Sequence, residues 1–260
     1  MIGVFDSGIG GLTVVRELRR FLPGKALVYF GDTARTPYGN KSAETVRRFA
    51  VEDAAYVLGQ GATTLVVACN TMSAVAVDAI RQRFPSVPLF EVIAPAVDAV
   101  AARRAKRIGV IGTRATIGSG VYGQRIRERL PKAKVIERAC PLLVPLVEEG
   151  MFDAAETKRV IRRYLEPLKH QTVDTLVLGC THYPFLKDAI SHKMGKSCAV
   201  IDSASVTAKA VAAQAGKLAD GPLTLHFSDL SPHTEELARA WVPEADAINH
   251  VPVERVERGG

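Results

Sequence analysis

The sequence lacks a long hydrophobic run: its 260 residues contain no stretch of about eighteen uninterrupted apolar residues, the minimum for a membrane-spanning helix. Its first residues, MIGVFDSGIGG, also lack the basic start of a secretory signal peptide. Hydrophobic residues make up 47% of the chain, which is enough for one large or two modest cores. We therefore expect a globular cytoplasmic protein with no membrane partner.

Cysteine and histidine are scarce and widely spaced. The four cysteines (Cys69, Cys140, Cys180 and Cys198) form no CxxC pair, and the six histidines form no HxH or HExxH motif. Four scattered thiols without a secretion signal do not make a disulfide framework. A structural zinc site requires closely spaced ligands. The sequence therefore predicts free thiols and no metal site.

Acidic residues are outnumbered: 27 Asp and Glu stand against 34 Lys and Arg, a formal net charge of +7. Many basic residues alternate with apolar residues at helical spacing, as in KRVIRRYL, and this pattern is typical of solvated helix faces. We therefore expect no nucleic-acid partner. A basic surface would, however, attract a small anionic substrate.

Short apolar runs alternate with helical patterns. IGVF, ALVYF and TTLVVA each precede a helix-like segment, and RIGVIG, KVIERA and DTLVLG repeat this plan further along the chain. Strands that are apolar throughout and alternate with helices are typical of a parallel sheet covered on both faces. The sequence predicts an α/β fold with two pseudo-symmetric parallel-sheet domains and an active site in the cleft between them.

Each half places one cysteine at the end of an apolar run. TTLVVACNT (63–71) and DTLVLGCTH (174–182) share the pattern T-L-V-x-x-C, and Cys69 and Cys180 are 111 residues apart. Because ligands bind beyond the carboxyl ends of parallel strands, we expect both thiols to face one cleft. If one thiolate removes a proton from a carbon and a thiol delivers one to the opposite face, the stereocentre inverts. Cys140 and Cys198 have no matched position, and we interpret them as structural.

An unperturbed thiol is mostly protonated at neutral pH, so each cysteine needs an assisting group. His182 follows Cys180 by two residues and could accept or orient its proton. Asp6, at the end of the first strand-like run, could take the proton of the other thiol. Glu148 or Glu149, in LVPLVEEG, is a further candidate on the side of Cys180.

The glycine-rich loop SGIGG permits a second interpretation. Gly8 and Gly10, with Asp32 after the next strand-like run, have the outline of a dinucleotide site, in which glycines approach a pyrophosphate and an acid binds a ribose. Thr13 stands where the third glycine of GxGxxG would be. The same backbone amides could instead hold a substrate carboxylate.

Five segments of the chain form a specific combination: FDSGIGGL (5–12), GDTARTPYG (31–39), ACNTMSA (68–74), GCTHYP (179–184) and DSA (202–204). Together they resemble the glutamate racemases of the aspartate/glutamate racemase superfamily. The resemblance spans about the first four fifths of the chain. It implies an isomerase that interconverts L- and D-glutamate without pyridoxal phosphate or another cofactor, and that supplies D-glutamate for bacterial peptidoglycan, cell-wall biogenesis and cell shape.

The same resemblance implies roles for single residues. Cys69 would deprotonate the D-enantiomer with the help of Asp6. Cys180 would deprotonate the L-enantiomer with the help of His182 and Glu149. The implied substrate contacts lie in the same motifs and are Asp6, Ser7, Tyr38, Gly39, Asn70, Thr71, Thr181 and His182.

The resemblance also implies a domain division. Residues 1–95 and 206–260 would form the first α/β domain, and residues 96–205 the second. Thr113 or Thr116, in the loop TRATIGSG of the second domain, would reach a substrate carboxylate. Family members dimerise in different ways, so a homodimer is compatible with the resemblance.

Three alternatives stay open at this level. Two-thiol chemistry does not fix the length of the substrate, so aspartate or another small acidic amino acid is the first. Some glutamate racemases bind DNA gyrase, often with an N-terminal extension; this chain begins almost directly at its first strand, which argues against such a role. A nicotinamide-dependent enzyme is the third alternative.

Overall fold

Two parallel β-sheets form the framework of the protein. The computed structural model describes residues 1–214, 216 and 218–257. The strands of the described residues are, in chain order, β1 (Ile2–Asp6), β2 (Leu27–Gly31), β3 (Thr64–Val67), β4 (Leu89–Glu91), β5 (Arg107–Gly112), β6 (Lys134–Ala139), β7 (Thr175–Gly179), β8 (Ala199–Asp202), β9 (Leu223–Phe227) and β10 (Ala247–His250).

Helices connect nearly all of these strands and cover the sheets. Short 3-10 turns at 33–35, 38–40 and 183–186 add to them. The α-helices are α1 (Leu12–Phe21), α2 (Ala43–Gly59), α3 (Asn70–Val75), α4 (Val77–Arg83), α5 (Ile93–Ala102), α6 (Arg114–Gly118), α7 (Val121–Arg129), α8 (Leu143–Glu148), α9 (Ala155–His170), α10 (Lys187–Met194), α11 (Ser203–Gln214), α12 (Pro232–Trp241) and α13 (Val253–Glu257). None of the helices so described is long and apolar enough to cross a membrane.

The two sheets repeat one strand order. The six-stranded sheet runs β10-β9-β2-β1-β3-β4, and the four-stranded sheet runs β6-β5-β7-β8. Read from the other edge, β4-β3-β1-β2 in the first sheet corresponds to β8-β7-β5-β6 in the second. The predicted α/β fold with two similar parallel-sheet halves is therefore confirmed.

The central strands consist mostly of apolar residues because helices cover both of their faces. Every residue of β1, β2, β3 and β7 is buried. Alternation of polar and apolar residues, typical of a sheet with one face in water, is therefore absent from these strands. Most of the polar residues follow the carboxyl ends of these strands, and the candidate site residues described below lie at this edge of each sheet.

The register of the strands brings corresponding residues to that edge. Phe5 of β1 pairs with Val67 of β3, so Cys69, two residues later, lies beside Ser7. Gly112 of β5 pairs with Gly179 of β7, so the next residue, Cys180, lies beside Thr113. Each thiol therefore lies next to the end of the first strand of its own half, Cys69 next to β1 and Cys180 next to β5.

The chain crosses between the sheets twice. Helix α5 leads from β4 to β5, and α11 follows β8 before the chain returns to pair β9 with β2. The predicted domain limits at 95/96 and 205/206 fall inside these two helices and stay a prediction. Residues 215, 217 and 258–260 of the predicted first domain lie outside the described residues.

The two halves share buried contacts. The Thr13 hydroxyl of α1 donates a hydrogen bond to the Thr181 carbonyl at 2.9 Å. Trp241 of α12 packs on Phe185, with ring centroids 4.1 Å apart. One hydrophobic cluster contains residues of both β1 and β7, so a single core extends across the junction.

Candidate active site

A cavity of about 320 Å³ lies between the carboxyl ends of the two sheets. Both halves contribute to its wall, and both Cys69 and Cys180 line it. The lining residues are Ser7, Thr36, Pro37, Tyr38, Gly39, Asn40, Cys69, Asn70, Thr71, Thr113, Arg114, Pro141, Val144, Pro145, Glu148, Cys180, Thr181 and His182.

Cys69 is held at the start of a helix. It caps α3, and its Sγ accepts a hydrogen bond from Met72 N at 3.5 Å. The thiol can donate to Ser7 Oγ, also at 3.5 Å. Burial, together with the nearby Asp6 carboxylate, raises the pKa of Cys69 to about 12. Cys69 is therefore a thiol at neutral pH and a strong base when it loses its proton.

Asp6 lies behind the cavity wall and is fully buried. Its carboxylate accepts hydrogen bonds from the backbone N–H groups of Gly8 at 3.2 Å and Gly11 at 3.0 Å. Burial raises the pKa of Asp6, while protonated His182 and these hydrogen bonds oppose the rise. Asp6 is not among the described lining residues: its Oδ2 faces these loop amides, and its Oδ1 accepts a hydrogen bond from the Thr181 hydroxyl at 3.5 Å. A direct contact between Asp6 and the substrate stays a prediction.

Cys180 is joined to an imidazole and a carboxylate in a line. Its Sγ lies 3.8 Å from His182 Nδ1, and His182 Nε2 lies 2.9 Å from Glu148 Oε1. Burial disfavours the protonated imidazole, but the hydrogen bonds with Cys180 and Glu148 prevail and raise the pKa of His182 to about 10. His182 is therefore an imidazolium at neutral pH and can donate a hydrogen bond to a Cys180 thiolate.

The carboxylate in this line is Glu148, whereas the resemblance implied Glu149; the residues alone had left both open. Glu148 is the last residue of α8 and is directed toward His182. Glu149 occupies the next position, the C-cap of the helix, and is exposed. Successive side chains on a helix point about 100° apart, so Glu148 faces the cavity while Glu149 faces solvent.

Tyr38 lines the cavity but turns its hydroxyl away from it. The hydroxyl donates to the carboxylates of Asp32 and Asp53 in the buried layer beneath. Arg35 also binds both carboxylates, with its Nε 2.7 Å from Asp32 Oδ2. A substrate contact of Tyr38 must therefore come from its backbone or ring.

Asp32 is not free to bind a ribose. Its carboxylate is paired with Arg35 and accepts hydrogen bonds from the hydroxyls of Tyr38 and Ser228.

Asn70 and Thr71 connect the two halves at the floor of the cavity. Asn70 Oδ1 accepts a hydrogen bond from Tyr122 Oη at 2.7 Å, whereas the buried Asn70 Nδ2 has no acceptor among the described residues. The Thr71 hydroxyl lies 3.0 Å from that of Thr113 and 3.2 Å from that of Thr116. An unused donor and a hydroxyl cluster at one end of a cavity suit a carboxylate ligand.

Gly10 allows the loop after β1 to pack against the imidazole. A Cβ at this position would lie 2.5 Å from His182 Nδ1 and from Thr181 Oγ1. Close packing between the two halves thus requires a glycine at position 10, and this requirement does not involve a bound pyrophosphate.

Comparison with known proteins agrees with this geometry. The model of the Asp/Glu/Hydantoin racemase family matches residues 3–211. The chain belongs to this family. It is accordingly a racemase, an isomerase that inverts a stereocentre.

Relatives named glutamate racemase resemble this racemase along most of its length. That of Geobacter metallireducens is 50% identical over 212 residues, which are 81% of this chain and 78% of the relative. That of Aquifex aeolicus is 46% identical over 244 residues, 94% of either chain. The crystal structure of glutamate racemase from Francisella tularensis in complex with D-glutamate has a TM-score of 0.90 at 32% identity and covers 97% of both chains. These likenesses support a glutamate racemase function.

The structure of this racemase brings most of the residues singled out from the sequence to one cavity. Asp6 is placed behind the wall, and Glu149 outside it. Of the two threonines, Thr113 lines the cavity and Thr116 supports it from a buried position. The four cysteines are free, and Cys140 and Cys198 are buried away from the described cavity lining.

Sequence reasoning missed several lining residues of the racemase. Arg114 follows Thr113 in the TRATIGSG loop, whose threonines were recognised while its arginine was not. Pro141, Val144 and Pro145 form an apolar wall around α8, and Asn40 lies at the mouth. Their sequence, CPLLVP, carries no signal beyond an ordinary helix start, so only the folded chain identifies them.

Proposed function

We propose that this racemase interconverts L- and D-glutamate by proton transfer between Cys69 and Cys180. The observation that carries the proposal is that two thiols at corresponding strand ends line one small cavity. The names of the relatives, and the D-glutamate bound to the Francisella protein, support glutamate as the substrate.

In the proposed reaction the Cys180 thiolate removes the α-proton of L-glutamate. The electron pair of the broken C–H bond stays on the α-carbon and spreads into the adjacent carboxylate. The Cys69 thiol then delivers its proton to the opposite face, which gives D-glutamate, a Cys69 thiolate and a Cys180 thiol. D-glutamate reacts by the same steps in reverse, so the two cysteines exchange the α-proton with the substrate and no cofactor takes part.

His182 and Glu148 serve the Cys180 side of this scheme. The imidazolium lies next to the sulfur and compensates a thiolate charge, while Glu148 fixes the ring from its other nitrogen. A carboxylate, an imidazole and a nucleophile or base in line are a recurrent way to hold a reactive proton in place.

Asp6 serves the Cys69 side in a different way. Its negative charge disfavours the Cys69 thiolate, and a base with a pKa of about 12 is well suited to a weakly acidic C–H bond. We assign to Asp6 the positioning of the Ser7 loop and the acceptance of a proton from the Cys69 side during turnover.

The substrate carboxylates are proposed to bind at two places. Asn70 Nδ2, which has no acceptor among the described residues, and the Thr71 hydroxyl would bind one carboxylate. Ser7, the Gly39 backbone and Thr181 would bind the other groups of the substrate. The proposal extends to cytoplasmic supply of D-glutamate for peptidoglycan, in line with the function implied by the resemblance.

The deciding experiment incubates the purified, cofactor-stripped protein with each glutamate enantiomer in deuterated water. We expect optical rotation to decay toward zero while α-deuterium enters the product. Aspartate is assayed in parallel, since the same chemistry with a shorter acid is the runner-up. Inertness toward both amino acids would refute the proposal, and activity with aspartate alone would replace its substrate.

Single cysteine variants test the mechanism. Cys69→Ser and Cys180→Ser should each reduce kcat for racemisation by at least about a thousandfold, because a hydroxyl is a far weaker acid than a thiol. Cys198→Ser is the matched control and should retain activity, because Cys198 lies outside the cavity lining. Near-normal racemisation by either cavity variant would exclude the two-thiol mechanism.

A further inference from the structure

The charged side chains in the described cavity lining are Arg114, Glu148 and His182. His182 is engaged at both ring nitrogens, by Cys180 and by Glu148. The Cys180 thiolate required by the proposed function adds a further negative charge. The net charge around Cys180 is therefore zero or negative. Of the two cationic side chains in the described lining, His182 is paired with Glu148, and Arg114 is not part of these contacts.

Arg114 stands where the two halves approach each other. It is the first residue of α6 and is exposed. The preceding residue, Thr113, lines the cavity, and a Cβ at Gly39 of the facing wall would lie 3.0 Å from Thr113 Cβ. Arg114 is thus both a lining residue of the cavity and exposed to solvent, so it is accessible to an entering molecule.

Arg114 forms no ion pair with the residues that the structure describes. Among the described residues, no carboxylate lies within 4.0 Å of its guanidinium, whereas Arg125 and Arg129, on the next helix, both form ion pairs. The first turn of a helix also favours an anion over a cation. Neither an ion pair nor helix stability therefore accounts for Arg114.

We infer that Arg114 is a specificity-determining residue that draws the second carboxylate of a dicarboxylate substrate into the cavity. The inference rests on the proposed function. Glutamate carries two carboxylates and one ammonium group, and it has to approach a thiolate and the Glu148 carboxylate. An uncompensated cation at the mouth offsets that repulsion and raises the local concentration of the anion. A substrate with a neutral side chain gains much less from it.

Binding of glutarate tests the inference separately from turnover. Glutarate has both carboxylates of glutamate at the same spacing but no stereocentre. Its dissociation constant is measured by calorimetry at ionic strengths of about 0.01 M and about 0.5 M, between which the screening length falls several-fold. The wild type is compared with Arg114→Gln, with Arg114→Lys and with Arg163→Gln, which removes one exposed cation from α9, away from the cavity.

We expect Arg114→Gln to bind glutarate up to about fivefold more weakly at low salt, and the loss to shrink at high salt. Arg114→Lys should recover most of the affinity, and Arg163→Gln should match the wild type. In racemisation, Arg114→Gln should raise KM with little change in kcat. Equal affinities and salt dependences of Arg114→Gln and Arg163→Gln would overturn the inference, as would a wild type that does not bind glutarate. Glutarate binding without glutamate racemisation would instead refute the proposed function and leave Arg114 as an anion-binding residue.

Discussion

The two cavity thiols have opposite electrostatic surroundings. Cys69 lies near the Asp6 carboxylate, and burial with this negative charge raises its pKa to about 12. Cys180 lies 3.8 Å from an imidazole whose own pKa is raised to about 10. We expect the resting protein to hold its proton on Cys69 and its imidazolium beside Cys180. The two sides of the cavity thus differ in charge before the substrate arrives, with a carboxylate near Cys69 and an imidazolium near Cys180.

Replacing Glu148 tests this arrangement at the level of a single residue. Glu148→Gln removes an anion that stabilises the imidazolium, so the pKa of His182 should fall from its value of about 10. A titration of the His182 ring followed by NMR should therefore move to lower pH, and kcat should decrease by about tenfold to a hundredfold.

Glu149→Gln provides the matched control, because it removes the same charge one residue further on. Glu149 is exposed at the C-cap of α8, so neither the titration of His182 nor kcat should change. If the two variants behave alike, the line from Cys180 through His182 to Glu148 does not operate in the reaction.

The sequence was sufficient to find the two cavity cysteines but not to choose between Glu148 and Glu149. Two cysteines at matched strand ends could be found from the repeated T-L-V-x-x-C pattern, because a short apolar run followed by polar residues marks the end of a buried strand. The choice between Glu148 and Glu149 depends on the rotation of α8 about its axis. That rotation is set by packing of α8 against α9 and against the 3-10 turn at 183–186, which lies far away in the sequence, so no local pattern encodes it.

At the level of elements, the loop between β1 and α1 acts as a packing surface for the site. Its amides bind the Asp6 carboxylate, and the absence of a side chain at Gly10 leaves room for the His182 ring. The same glycines suggested a dinucleotide site in the sequence. In the structure Gly10 packs against His182 and Thr181 of the other half, whereas Gly8 faces Thr36 of its own half. The acid expected to bind a ribose, Asp32, is paired with Arg35.

Gly10→Ala should therefore displace the imidazole. A methyl group there would lie 2.5 Å from His182 Nδ1, so the ring or the loop has to shift, and we expect kcat to fall by at least about tenfold. Gly118→Ala is the control: Gly118 lies in α6, a Cβ at this position meets nothing within 4 Å, and activity should be retained. Full activity of Gly10→Ala would show that the close packing is not needed.

At the level of the whole molecule, the halves are joined by one core. Residues of β1 and β7 share a hydrophobic cluster, and the only tryptophan, Trp241, packs on Phe185 across the junction. Tryptophan fluorescence therefore reports separation of the halves, while far-UV circular dichroism reports loss of helices and strands. We expect the two signals to coincide in urea unfolding.

Phe185→Ala should lower the stability by about 2 kcal/mol and move both signals together. The exposed Leu142 offers a control in Leu142→Ala, with little expected change. A fluorescence transition at clearly lower urea than the dichroism transition would mean that the halves separate before they unfold.

The chain order of the strands has a consequence for synthesis on the ribosome. The four-stranded sheet is built from one continuous stretch, β5 to β8, whereas the six-stranded sheet opens with β1 and is closed only by β9 and β10. The half that begins first is therefore finished last. Until β9 emerges, the apolar strand β2 is an open sheet edge on the nascent chain, a place where other strands can add. Protection of that edge by chaperones is most needed while the last forty or so residues are being translated.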